Sequence, residues 1–266
     1  MANFIADIAL TSLETITCFD ITTGAYLFQL DELQSANISQ SEEKVDITGR
    51  QGRKLAAIKR NKAVTVSGSN GLVSTGLWEK QTGSDFKLNT AAEVAWTDYL
   101  KVEDNEAETS WKAIGDTGAE IDNLYIKNAD GTLGQKIDQA AAAAEGKFAY
   151  APSTKKLTFS DLADGTEIVV FYKRKITASV LSNASDKYSG KCTMYSDAIG
   201  EDTCANVYRV QICIPKADFS GEFSFDMGDN QTVHSFEAEA LAGSCGSNGE
   251  FFTYTIFASN AEDVTA

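Results

Sequence analysis

"VTVSGSNGLVSTGLWEKQTG", residues 64–83, is a β-prone run, then glycine-punctuated polar residues, then a helix-prone segment. That order suits a phosphate-cradling loop, and Gly71 and Gly76 have the spacing of the G-x-x-x-x-G-K-[ST] pattern. The chemistry of such a loop also needs a lysine on the phosphates and a hydroxyl on magnesium, both directly after the second glycine. Leu77 and Trp78 stand there instead. The glycines therefore read as turn and close-packing positions that pass a strand into a helix. In that reading Ser69 or Asn70 caps the helix, Leu72, Val73, Gly76 and Leu77 share its packing face, and Gly83 ends it.

Outward from this stretch, most of the chain has the period and residue types of strands. Alternating or β-branched runs include "LETITCFDIT", "EKVDIT", "KFAYAP", "TEIVVFYKRKITASV", "KCTMYSDAI", "NVYRVQICIP", "EFSFDMG", "HSFEAEAL" and "EFFTYTIFAS". In "NVYRVQICI", Tyr208, Val210, Ile212 and Ile214 point one way and Val207, Arg209, Gln211 and Cys213 the other, as in a half-buried strand. "NADGT" (128–132) and "LADGT" (162–166) place Asp-Gly between apolar segments, the filling of tight hairpin turns. A second short helix is predicted over "GQKIDQAAAAAEGK", where five alanines favour helix but bury little.

The 266 residues carry a formal charge of −15. That excludes a general nucleic-acid binder, which gains affinity by neutralising phosphates with Lys and Arg. It does not exclude a channel through which DNA passes without sticking, since a negative wall repels phosphates. The N-terminal "MANFIADIALTSLETITCFD" has no basic region and is interrupted by Asp7, unlike a secretory signal, and no apolar stretch approaches the length of a membrane span. Cytosolic synthesis and no membrane partner are expected. Five cysteines without a C-x-x-C pair (Cys18, Cys192, Cys204, Cys213, Cys245) read as buried thiols.

One segment departs from the acidic background. "GRQGRKLAAIKRNK" holds Arg50, Arg53, Lys54, Lys59, Arg60 and Lys62, with no acid between 50 and 62. With no aromatic between them to stack bases, these residues read as an arm that meets an acidic neighbouring subunit. No catalytic, cofactor-binding or metal-binding set is identified, so the chain reads as a non-enzyme. The single histidine, His234, lies in a strand-like run and reads as a satisfied, partly buried imidazole; Asp226 and Asp229 in "FDMGDNQT" read as turn residues. From 93 to 172 the chain has its own hairpins and aromatic strands, with 15 acidic against seven basic residues. It reads as a small inserted β domain of immunoglobulin-like kind, leaving 1–92 and 173–266 as one discontinuous domain.

The phrases "ITGRQGRKLAAIKRNKAVTVSGSNGLVSTGLWEKQTGS", "FYKRKITA", "YRVQICIPKADFSGEFSFDMG" and "HSFEAEALAG" resemble major tail (tail tube) proteins of tailed bacteriophages. The resemblance spans most of both flanks. It implies a mainly β fold, a β-sandwich or barrel with a packed α-helix, assembled as stacked hexameric rings in a virion tail. It further implies a lumen that conducts DNA and houses the tape-measure protein, with residues 47–62 as the inter-ring hairpin and 71–82 as the packed helix. The insert would then decorate the outside. Two other classes remain beside it: a different stacked virion protein or host-surface binder acting through the insert, and a nucleotide hydrolase built on the glycine loop.

Overall fold

The structure, a computed structural model, describes residues 7–224, 233–242 and 249–258. Among these it is mainly β. In chain order the strands are β1 (Ile8–Phe19), β2 (Tyr26–Leu30), β3 (Leu33–Thr48), β4 (Lys54–Asn70), β5 (Lys87–Lys101), β6 (Glu106–Glu108) and β7 (Ile121–Lys127). They continue as β8 (Leu133–Gln139), β9 (Lys147–Ala151), β10 (Lys156–Thr158), β11 (Glu167–Val180), β12 (Lys191–Asp202), β13 (Val207–Phe219), β14 (His234–Ala240) and β15 (Thr253–Ala258). One α-helix, α1, spans Thr75–Thr82. The chain divides into two compact units, Met1–Phe86 with Leu181–Ala266, and Lys87–Val180.

The first unit is an eight-stranded antiparallel sheet in the order β2-β1-β12-β13-β14-β4-β3, with β15 also paired to β13. β1 and β3 touch although four strands separate them in that order, so the sheet is strongly curled. The period of two then sends alternate residues inside. Ile16 and Cys18 of β1, Val64 and Val66 of β4, Cys192 and Met194 of β12, Ile214 of β13 and Phe236 of β14 form one buried cluster. Val210 and Ile214 are buried as their alternation predicts.

α1 closes this core with Leu77, which is fully buried. The helix begins later than the sequence suggests. β4 runs on through Asn70, and Ser74 is the N-cap, its Oγ accepting from the Leu77 N–H at 3.3 Å. Gly76 has a packing reason: a Cβ there would stand 2.5 Å from Cβ of Phe28 on β2. Gly83 ends the helix in the left-handed region at φ 68°, its N–H returning to the Glu79 carbonyl, with the Tyr188 carbonyl directly against its Cα. Gly83→Ala is therefore expected to cost roughly 3 kcal/mol, the left-handed penalty plus a backbone clash, read as a lowered denaturation midpoint of this unit.

The second unit is a seven-stranded sheet, β5-β11-β7-β8-β9-β10-β6, antiparallel except for the β8–β9 pair. Its own core is built on Leu124, Ile137, Phe148, Leu157, Ile168, Val170 and Tyr172. Positions 93 and 172 both lie mid-strand. β5 and β11 pair from Lys101↔Glu167 to Lys87↔Val180, so this ribbon carries the unit out to residues 87 and 180.

Two local expectations change in this unit. The alanine-rich helix is absent: Leu133–Gln139 is strand β8 and residues 140–146 are irregular. Ile137 is buried opposite Leu124, and that tertiary pairing outweighs the helix propensity of the alanines that follow. "NADGT" is a hairpin turn between β7 and β8 with Gly131 at φ 85°, but "LADGT" joins β10 to β11, which are not neighbours in the sheet. Elsewhere Cys18 and Cys192 are buried, whereas Cys204 is exposed in the β12–β13 turn. Cys245, Asp226, Asp229 and most of "EFSFDMG" lie outside the described residues.

Candidate assembly surface

β3 and β4, of 16 and 17 residues, form a hairpin more than twice as long as β14, the seven-residue strand that anchors it. β14 pairs with β4 only from Val64 to Asn70. Among the described residues, β4 from Ala63 to the tip has β3 alone as its partner, paired from Ser41↔Ala63 to Thr48↔Lys54. This two-stranded ribbon extends for roughly 30 Å at about 3.3 Å per residue. Bulges in β4 opposite Glu42 and next to Leu55, with Asn61 at φ 53°, break its regular pleat. The tip turns through Gln51 and Gly52, both at positive φ.

All six basic residues singled out in the sequence lie on this ribbon, but their charges are distributed differently from the expectation. The opposing strand carries acids. Lys54 pairs with Asp46 and Lys59 with Glu42, each at 2.5 Å, and Arg60 grips Glu43 with two nitrogens at 2.8 and 3.1 Å. Hydrogen bonds from Arg60, then Asn61, hold the Glu43 carboxyl below its ordinary pKa. The Lys62 ammonium stands 5.6 Å from the Phe251 ring centroid. Arg50 and Arg53 remain at the tip without an acidic partner among the described residues. From 41 to 63 there are seven basic and three acidic residues, so the ribbon keeps a net charge of +4 on a chain of −15.

Sequence reasoning missed the ribbon's apolar face. Val45 opposes Ile58 and Ile47 opposes Ala56 on one face, with the Glu43–Arg60 pair next to them toward the base, while Glu42, Lys44, Asp46, Lys54 and Lys59 take the other. Ile47 is 43% exposed, Ile58 52% and the bulged Leu55 58%. The alternation Val45-x-Ile47 was a signal, but only cross-strand pairing puts Val45 beside Ile58. Such a face on a projecting ribbon is suited to burial against another surface.

The glycine loop beside the base of β4 is tied down by hydrogen bonds, but Leu72 and Val73, expected on the packing face of the helix, precede α1 and are exposed. The Gly71 N–H donates to the Glu32 carbonyl at 2.8 Å, and the Trp78 N–H to the Ser74 carbonyl at 3.1 Å. The Ser74 N–H donates to Nδ1 of His234 at 3.3 Å, and Nε2 of His234 lies 2.8 Å from Oε1 of Gln81. An imidazole that accepts at Nδ1 and donates at Nε2 is neutral. It ties both ends of α1 to β14, and Gln81 adds a bond to the Ser235 carbonyl at 2.9 Å.

His234 is fully buried, and desolvation lowers its pKa. The unfolded chain therefore takes up the proton first. This contribution to stability is intact above about pH 6.5, the unfolded value, and is lost as the pH falls toward the lower folded pKa. The unfolding midpoint of the first unit is expected to drop over that window, with a slope of at most about 1.4 kcal/mol per pH unit from this group. His234→Gln should flatten it in a denaturation series from pH 7.5 to 5.

The model of the YomU/Tube protein family matches residues 4–253 of the 266, nearly the whole chain. The chain belongs to this family. No curated protein matches it. The second unit of this tube-family chain and the projecting ribbon fall within the matched residues, as does the first unit apart from 1–3 and 254–266. Among the described residues no helix is long and apolar enough to cross a membrane.

A second surface of this tube-family chain is notable for its lack of cations. The outward residues of β3, β4 and β14 are Ser35, Asn37, Ser39, Thr65, Ser67, Ser69, Ser235, Glu237 and Glu239. Ser35 and Ser69 hydroxyls lie 2.8 Å apart, and Ser235 lies 3.3 Å from Ser224. Stretches 35–41, 63–69 and 235–239 contain no Lys or Arg. This face offers a polyanion hydroxyls and carboxylates but no counter-charge.

Proposed function

We propose that this chain is the repeating subunit of a phage tail tube, a structural virion protein without enzymatic activity. In this reading its subunits form stacked hexameric rings whose lumen conducts DNA and houses the tape-measure protein. The observation that carries the reading is the ribbon of residues 41–63: a cationic, half-apolar arm on a strongly acidic member of a tube family. Such an arm is complementary in charge to another copy of the chain, and a heterologous contact of arm to body repeats into stacked assemblies. The cation-free face of β3, β4 and β14 suits a wall past which DNA slides. Residues 87–180, with their own sheet and core, are read as an immunoglobulin-like domain on the outside of the tube.

Electron microscopy of the concentrated, purified chain tests this. Hollow tubes or six-membered rings are expected. A strictly monomeric species at high concentration, and in virions, would overturn the reading.

A further inference from the structure

The second unit carries an exposed aromatic surface of its own. Trp96 on β5 and Trp111 in the loop after β6 lie with ring centroids 6.4 Å apart and planes at 87°. The Arg174 guanidinium on β11 sits 3.8 Å from the Trp111 centroid and 5.1 Å from that of Trp96. Trp96 is 40% exposed and Trp111 46%, a large open area for residues with this much apolar surface. Among the described residues no carboxylate stands within ion-pair reach of Arg174, and its N–H groups make no hydrogen bond. A planar, permanently charged fork is thus held between two indoles with its donors open.

The surroundings keep this arrangement rigid. Asp98, buried on β5, accepts from Nε1 of Trp96 at 2.9 Å, from the Ser110 N–H at 2.7 Å and hydroxyl at 2.9 Å, and from the Tyr172 hydroxyl at 2.8 Å. The Trp111 N–H donates to the Tyr172 oxygen at 3.0 Å, and its carbonyl accepts from Thr109 at 2.8 Å. One carboxylate therefore orients the Trp96 ring and also pins the loop that presents Trp111. Fixing half-exposed aromatics with a buried network is how a binding surface is preorganised, since immobilisation is complete before a ligand arrives.

We propose that Trp96, Trp111 and Arg174 form a binding site for an acidic saccharide, with a sugar ring on an indole face and its carboxylate or phosphate on Arg174. The C–H bonds of a pyranose face present partial positive charge to the electron-rich indole, and the guanidinium fork matches a planar or tetrahedral oxyanion. A single-stranded nucleic acid would also stack. It would, however, need a track of cations beside the aromatics, and in this unit acids outnumber bases by 15 to 11. Lys173 and Lys175, the neighbours of Arg174, point to the opposite face of β11. The site is independent of whether the chain forms a tube.

Isothermal titration of the full chain tests this with four probes: an oligogalacturonate, glucose 6-phosphate, uncharged maltotetraose and oligo(dT). At least one acidic saccharide is expected to bind, more weakly as salt rises, and to bind at least tenfold better than maltotetraose. The stronger of the two acidic probes identifies the anion as carboxylate or phosphate. Trp111→Ala and Arg174→Gln should each weaken binding at least tenfold, and Tyr99→Ala should not change it. Arg174→Lys keeps the charge and stem, so it should bind more weakly than the parent at an unchanged unfolding midpoint. Failure of both acidic probes to bind at millimolar concentration would overturn the proposal. Equal binding of maltotetraose, a preference for oligo(dT), or full binding by Trp111→Ala would also overturn it.

Discussion

Ile58→Asp is expected to raise the concentration needed for assembly at least ~100-fold while leaving the unfolding midpoint of the chain unchanged. Ile58 and Ile47 are about half exposed on a ribbon that covers no core, so the fold gains little from them. Burying the open half of an isoleucine against a neighbour is worth roughly 1 kcal/mol, and a carboxylate in the same place adds a desolvation cost of several more. Since 1.4 kcal/mol is tenfold in an equilibrium, a loss near 3 kcal/mol per contact gives the expected change. Reversing the tip charges with Arg50→Glu and Arg53→Glu should have a smaller effect that fades as salt screens it. Sedimentation of both variants at two salt concentrations separates the contributions. Assembly of Ile58→Asp at the parent concentration would show that the apolar face is not part of the contact.

Asp98→Ala is expected to destabilise the second unit by about 3–5 kcal/mol, because it strands buried donors on Ser110, Tyr172 and Trp96. Chemical denaturation should show residues 87–180 melting early, with the first unit unaffected. Asp98→Asn keeps one acceptor oxygen and should lose less. The pH dependence has a definite sign. Burial raises the Asp98 pKa, but the bonds from Ser110, Tyr172 and Trp96 outweigh it and leave the pKa below the ordinary value. Its contribution is therefore fully present above about pH 4, where the unfolded carboxyl is ionised, and is lost as the pH falls through the lower folded pKa. Tyr172, pushed well above a free phenol by burial and then by Asp98, stays a donor throughout that range. An acid transition unchanged in Asp98→Asn would remove Asp98 from this account.

The readings that held are those with a local cause. Alternation in "NVYRVQICI" reports burial because side chains in a strand alternate, and β13 is the outcome. Gly83 ends α1 because a left-handed cap disfavours a side chain. The readings that shifted depended on partners remote in sequence. Ser74 rather than Ser69 caps the helix because β4 continues along β14 to Asn70, which no window around the glycines reveals. The alanine run fails as a helix because Ile137 is claimed by Leu124 across the β7–β8 pair.

By itself, the sequence determined that the chain is mainly β and acidic, with one cationic segment and a glycine loop lacking the groups that grip a phosphate. Tertiary structure alone decided what those features face. Cross-strand register set Glu42, Glu43 and Asp46 against Lys59, Arg60 and Lys54, leaving Arg50 and Arg53 at the tip with no acidic partner among the described residues and gathering Val45, Ile47 and Ile58 on one side. It also brought Trp96, Trp111 and Arg174 together from three separate segments. The physical reason is the same in each case: local pattern fixes which way a side chain points, whereas charge pairing and stacking act over a few ångströms between groups that only folding brings close.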